Sequence, residues 1–366
     1  MFHQAPVDAP DTEKYTSQGD YSADSFAHLN IPHHLKKLLA TTSNFSLAKS
    51  TWSTYRTANN QLEVFSVDTG HPISFPLDQE TTLSFTAWLI NRGVGKSTIN
   101  SYLAGLRNTH LTLGLTPPQL HSDLVNQVIQ GKGNQDNLDR RNLKKPVRLP
   151  VTITTLKVLR QEIKRMLLPE TDKLLFWTVA TLAFAGGFRP GELLCSKDWT
   201  FDSNFNLLGR DLTFRQEFLN GSQVEFLQVK LKAEKQNKKG GHTLVDIFGI
   251  NSKLCPLKAF KAWAAKAHSA PPASPAFYRS SGAALTKTLF NKWLKLALAK
   301  HTDGLNGFVS GHSFRIGLAS HLAALGHSDT DIMQAGRWSS SAYLSYLKLP
   351  RTRRLDLARR IADSCH

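Results

Sequence analysis

The run Leu174 to Ala185, Leu-Leu-Phe-Trp-Thr-Val-Ala-Thr-Leu-Ala-Phe-Ala, is the longest mostly apolar stretch in the chain. A helix that is apolar on every side has no face to give to water, so it belongs inside a packed domain. It is too short for a bilayer, which takes about 20 apolar residues. The run therefore predicts a buried core helix, with the elements on either side of it folded around it. A chain of 366 residues exceeds what one ordinary core holds, and two domains plus tails are expected.

Periodicity supplies the rest of the layout. Residues 1–45 are polar, slightly acidic and weakly periodic, which predicts a mostly disordered tail with a short helix near Pro32–Leu39. From Ser46 to about Asp136 the spacing is helical. Ser50 to Phe65, Leu83 to Asn91, the set Ile99, Tyr102, Leu103 and Leu106, and Leu120 to Gln130 predict four helices of a small all-α bundle. Residues 137–150 are basic and end in Pro150, as a linker lying along a phosphate backbone would be. The second domain, 151–366, opens with a helix from Thr152 to Arg165. Between Phe205 and Phe248 it turns strand-like: Gln228 to Lys232 alternates, Asn237-Lys-Lys-Gly-Gly241 is a turn, and His242 to Phe248 returns. The fold class expected is mainly α with a small antiparallel β-sheet, preceded by an all-α bundle.

The formal net charge is +17, which speaks of partners rather than of fold. Nucleic acid comes first and an anionic membrane surface second. Cys195, Cys255 and Cys365 are too far apart for a metal site or a disulfide framework, and fit a reducing intracellular setting. Met1 to Pro10 has neither the basic nor the apolar region of a secretory signal. Gly95-Lys96-Ser97 has the look of a phosphate-binding loop, but Ile90 stands where the loop's first glycine belongs and a helix precedes it. It reads as a helix stop followed by a new start, capped by Ser97 or Thr98.

The chemistry-bearing residues lie further on. Arg189, in Ala185-Gly-Gly-Phe-Arg-Pro-Gly-Glu192, precedes a proline suited to a first helical position. It is thereby held at a helix entrance, with Glu192 one turn on to orient its guanidinium. In Gly311-His-Ser-Phe-Arg315, His312 and Arg315 share one helix face and make a phosphate grip. Gly336-Arg-Trp338 and Ala342-Tyr343-Leu-Ser-Tyr346 follow. Taken singly, each of these has a structural reading, and Tyr343 and Tyr346 both suit packing. The ordered set is far more specific.

From Phe176 to about Leu347 the sequence resembles the catalytic domain of the tyrosine recombinases, or phage integrase family. The Arg189 segment resembles that family's first arginine box, Gly311 to Arg315 its second, Trp338 its His/Trp position, and Tyr346 falls where its nucleophile belongs. The wording is closest to recombinases of eukaryotic tyrosine-recombinase retroelements and cryptons. The N-terminal bundle matches the family's core-binding domain in size and place only. The resemblance places a catalytic lysine on a β-hairpin turn, where Lys235 is the best match and Lys232 the fallback.

What the resemblance implies is site-specific strand exchange on double-stranded DNA without ATP, metal or other cofactor. Two guanidinium forks bind the phosphate oxygens and stabilise the charge of the pentavalent transition state. Trp338 donates an indole N–H, and Tyr346 attacks phosphorus to form a 3′-phosphotyrosine. Lys235 protonates the departing 5′-oxygen, while His312 assists Tyr346 or donates to the phosphate. The expected assembly is a homotetramer on DNA, with Arg351 to His366 docking on a neighbour, in the nucleus if the host is eukaryotic and otherwise in the cytoplasm. Two other readings share these residues: a type IB topoisomerase, and a domesticated DNA-binding protein that no longer cuts.

Overall fold

The computed structural model describes residues 19–142, 146–195, 201–203, 205–232, 242–267, 271–302 and 307–346, without side chains at 49, 140–142, 342, 345 and 346. The chain divides into two compact units, Met1–Lys144 and Lys145–His366.

The first unit is helical: α1 (His33–Asn44), α2 (Lys49–Thr69), α3 (Gln79–Asn91), α4 (Lys96–Thr112) and α5 (Asp123–Asn142). Ala58, Leu62 and Phe65 on α2, Phe85 and Leu89 on α3, Ile99, Leu103 and Leu106 on α4, and Val125 and Ile129 on α5 close one core. Their spacings of three and four put them on single helix faces. A Cβ on Gly105 would lie 3.0–3.1 Å from Ala58 and Tyr55, so the missing side chain lets α4 approach α2 closely. His110 is fully buried, and its Nε2 accepts a hydrogen bond from the Leu77 N–H at 3.0 Å. That leaves Nδ1 to donate to the Leu106 carbonyl at 2.7 Å, so the ring is held neutral.

Two expectations for this unit are corrected. The segment 19–45 is folded rather than disordered: it holds a 3-10 turn at Ala23–Phe26, and the short helix expected near Pro32–Leu39 is there as α1, which runs on to Asn44. Asn44 ties it down, accepting from Tyr21 N–H (2.9 Å) and donating to the Tyr21 carbonyl (3.0 Å). The buried Trp52 indole then donates to the Asn44 carbonyl at 3.3 Å. These anchors are single residues without a period, which is why the pattern missed them. The helix α4 begins at Lys96 with Gly95 as its cap, without a side-chain cap from Ser97 or Thr98.

The basic linker is also shorter than expected. Helix α5 continues to Asn142, and β1 (Val147–Arg148) already belongs to the second unit, pairing in parallel with β5 (Gly307–Phe308). Thr152 caps α6 (Ile153–Arg165), which buries Leu156, Leu159 and Ile163. Helix α7 (Glu170–Ala185) contains the apolar run and is buried on all sides from Leu175 to Ala183. Among the described residues no helix is long and apolar enough to cross a membrane.

After α8 (Pro190–Leu193) come β2 (Leu212–Leu219), β3 (Ser222–Leu231) and β4 (Thr243–Phe248), an antiparallel sheet in that order. Two strands were expected with a turn at 237–241, which lies outside the described residues; the strand missed is β2. Its signal was Asn220-Gly221, whose φ values of 49° and 77° fit the type I′ hairpin turn. Helices α9 (Pro256–Ala264), α10 (Lys287–Thr302), α11 (His312–Leu325) and α12 (Asp329–Gly336) complete the unit, and a 3-10 helix, Ser341–Tyr346, follows. Helix α11 lies on the Val151 backbone: Val151 N–H donates to Ser313 O at 2.9 Å, and a Cβ on Gly317 would meet Val151 O at 1.9 Å.

Candidate active site

Three breaks in helix meet at one place: the turn after α7, the start of α11 and the end of α12. The α7 helix stops at Gly186, and Gly187 takes a positive φ of 54°. Phe188 is fully buried, which anchors the turn. Arg189 then sits at the cap of α8 with φ −72° and ψ 144°, extended as a residue before proline must be. Glu192 reaches back to it, accepting from the Arg189 backbone N–H (2.8 Å) and from Arg189 Nη1 (2.7 Å). The other carboxylate oxygen also accepts from Arg337 Nη2 at 2.7 Å. Glu192 is 6% exposed and Arg189 25%, so the carboxylate lies inside while the arginine side chain is partly open to water.

Arg315, on the first turn of α11, is only 1% exposed. Nη1 donates to Gly187 O at 2.6 Å, Nη2 to Arg337 O at 3.3 Å, and the guanidinium lies 4.2 Å from the centre of the Trp338 ring. A buried charge needs such partners. Trp338 also explains the glycine two residues before it, since a Cβ on Gly336 would fall 1.6 Å from its ring.

His312 is half-buried at the start of α11. Burial comes first among the causes that push its pKa down to about 4, followed by Arg148, Arg315 and Arg189, against a smaller opposite pull from Glu192. The ring is therefore neutral near pH 7, able to accept or donate one proton. Arg148 brings a further cation to this place. Its guanidinium stacks over Phe308 at 5.4 Å, and the β1–β5 pairing holds its strand beside the segment that leads into His312. The sequence flagged Arg148 only as part of a basic stretch, and it gave no sign of Arg337.

The two tyrosines are placed differently. Tyr343 is 1% exposed, packed with Ala319, Ile332 and Trp338, and tilted against the Trp338 ring at 5.8 Å. Burial raises its pKa, and a hydrogen bond to Asp329 adds to the rise. Tyr346 closes the 3-10 helix one turn later, and its side chain lies outside the described residues. Lys235 lies outside them as well. Lys232 is engaged elsewhere: Nζ is 2.9 Å from the buried carboxylate of Asp211 and donates to Ser203 O at 2.9 Å. It ties the end of β3 to the loop before β2. Among the described residues no three His, Cys, Asp or Glu side chains come together as a metal site would require.

By sequence, no protein-family model and no curated protein matches the chain. Solved structures do. The site-specific recombinase XerH, in a post-cleavage complex with a palindromic difH substrate, is 14% identical with a TM-score of 0.55, over 89% of this chain and 82% of that one. A lambda integrase dimer bound to a COC′ core site is 13% identical with a TM-score of 0.53, over 86% and 94%. The Tn1549 transposon integrase in complex with circular intermediate DNA is 14% identical with a TM-score of 0.51, over 92% and 97%. The chain thus has the fold of the tyrosine recombinases and integrases, mainly α with a small antiparallel sheet, as its motifs implied.

Proposed function

We propose that this protein is a site-specific DNA recombinase that cuts and rejoins double-stranded DNA through a 3′-phosphotyrosine on Tyr346. One observation carries the reading: Arg189, Arg315 and Arg148 gather positive charge around the neutral imidazole of His312, and Glu192 is the carboxylate that holds the partly exposed Arg189 in aim. That is an arrangement for an anion whose charge grows during reaction. In the reaction proposed, Tyr346 Oη gives its proton to the neutral imidazole of His312 as it forms the new bond to phosphorus, and the 3′-phosphate stays on the protein. The bond to the 5′-oxygen breaks, and that oxygen leaves as a hydroxyl with a proton from Lys235. The ester conserves the bond energy, so attack by a 5′-hydroxyl reverses the step on the same or a second duplex without ATP or metal. Arg189 grips the phosphate directly, and Arg315 supplies charge from beneath. Assembly as a homotetramer on DNA belongs to the same proposal.

The test uses nicked duplexes carrying the sequences that flank the protein's own gene, resolved on a denaturing gel. The wild type and Tyr343→Phe are expected to form a covalent adduct, and Tyr346→Phe to form none while keeping its DNA affinity. An adduct that survives in both variants removes the tyrosine mechanism; one lost only in Tyr343→Phe reverses the assignment.

A further inference from the structure

Arg337 stands where the backbone least favours it. Its φ of 53° and ψ of 50° are left-handed, a conformation that is unfavourable for a residue with a Cβ and that glycine adopts freely. The other non-glycine residue with positive φ among those described, Asn220, lies in a hairpin turn that suits asparagine. What an arginine adds at such a helix end is its side chain.

That side chain reaches across to the turn after α7. Nη1 donates to Gly186 O at 2.6 Å, Nη2 to Glu192 Oε2 at 2.7 Å, and the guanidinium lies 4.8 Å from the centre of the Phe188 ring. Its backbone carbonyl meanwhile accepts from Arg315 Nη2 at 3.3 Å. Arg337 is thus linked to both site arginines, to Arg315 by its main chain and to Arg189 through the shared carboxylate. It also braces the Gly186–Gly187 turn, whose next carbonyl holds Arg315 Nη1 at 2.6 Å.

The charges give this linkage a chemical purpose. A buried carboxylate paired with Arg189 alone would compete with a phosphate for that guanidinium. Shared between two guanidinium groups, it still orients Arg189 but cancels less of its charge. We propose that Arg337 is a positioning residue, which fixes the carboxylate of Glu192 and so leaves the Arg189 guanidinium aimed and available for the scissile phosphate. Its catalytic consequence rests on the recombinase reading above; its structural consequence does not.

The test compares Arg337→Gly and Arg337→Lys with wild type in the full chain. Glycine suits the backbone at this position, so Arg337→Gly is expected to fold. On the nicked duplex its adduct should form about a hundredfold more slowly, the scale of loss that misplaced reacting groups give, with DNA affinity nearly unchanged. Ethylguanidinium should restore part of the rate when adduct formation is measured well below both melting points, where the protein is folded, which a loss through unfolding would not allow. Arg337→Lys, able to reach one acceptor, should fall in between. An adduct rate in Arg337→Gly close to wild type, or a loss that tracks melting and ignores ethylguanidinium, overturns the proposal. The Nε–H resonance of Arg189 in nitrogen-15 spectra supplies a readout without DNA. It should move in Arg337→Gly and return with ethylguanidinium; an unmoved resonance also overturns the proposal. If the wild type forms no adduct, the recombinase reading fails and the resonance still decides the role of Arg337.

Discussion

Replacing Arg315 with alanine should damage stability and chemistry together, whereas replacing Arg189 should damage chiefly chemistry. Arg315 is buried and its guanidinium donates to Gly187 O and Arg337 O. Hydrogen bonds to charged groups contribute about 1.5–3 kcal/mol each, and a desolvated cation over a tryptophan face adds about 1–2 kcal/mol. These terms overlap, so a loss of about 4 kcal/mol is expected, inside the range of about 3–5 kcal/mol for breaking a buried charged contact. At about 2–4 °C per kcal/mol in a domain of this size, melting should fall by about 8–16 °C. Arg189 is partly exposed, and without it Glu192 keeps Arg337. Its removal should cost less than that of Arg315, about 1.5 kcal/mol, the low end for one hydrogen bond between charged groups, because the buried carboxylate keeps its other donors. Calorimetry measures the first quantity, and adduct formation well below both melting points measures the second; both alanine variants should make no adduct. Lysine at 315 should fail similarly, because an ammonium offers neither the fork nor the flat face. An Arg315→Ala protein that melts within a few degrees of wild type would refute the buried-anchor account, and an Arg189→Ala protein as unstable as Arg315→Ala would refute the division of roles.

The pH dependence of stability carries a sign. With the folded pKa of His312 pushed down to about 4 and that of His110 also lowered by burial, the unfolded chain takes up protons below about pH 6.5 before the folded one does. Stability should fall as pH drops from about 6.5 toward 4, and His312→Gln should flatten part of that slope in thermal melts. Adduct formation by the wild type should survive chelation by EDTA; loss of cleavage with binding intact would mean that the metal-free mechanism is wrong.

What the sequence made legible follows from how each element is held. Helices α2, α4 and α6 bury a face at regular spacing, and α7 buries every face, so hydrophobic pattern alone located them. The segment before α2 is held by Asn44 and Trp52, a hydrogen-bond anchorage no periodicity carries. Strand β2 is exposed at nearly every position, so it lacks the alternation of a half-buried strand and shows itself only through the Asn220-Gly221 turn. At the site, Pro190 and the three-residue spacing of His312 and Arg315 were readable because local geometry fixes them. Arg148 and Arg337 act across distances of well over a hundred residues in sequence, through a strand pairing and a shared carboxylate, and only the folded chain brings them in.

The site is electrostatically one-sided, and this gives a last prediction. Arg148, Arg189 and Arg315 all disfavour the charged form of His312, and Glu192 opposes them weakly. Like charges held close repel one another, and an anion placed among them relieves that repulsion. The same anion must favour protonation of the imidazole, because binding and protonation are linked. Inorganic phosphate isolates this effect from the rest of a DNA duplex. Titrated with phosphate, the wild type should melt progressively higher, and the His312 ring, followed by NMR, should titrate at a higher pH than about 4. In Arg189→Ala the thermal response should be much smaller, because one of the guanidinium groups that an anion would bind is gone. If phosphate raises melting equally in both proteins while the His312 titration stays put, the anion binds elsewhere. The cluster is then a structural knot rather than a phosphate site.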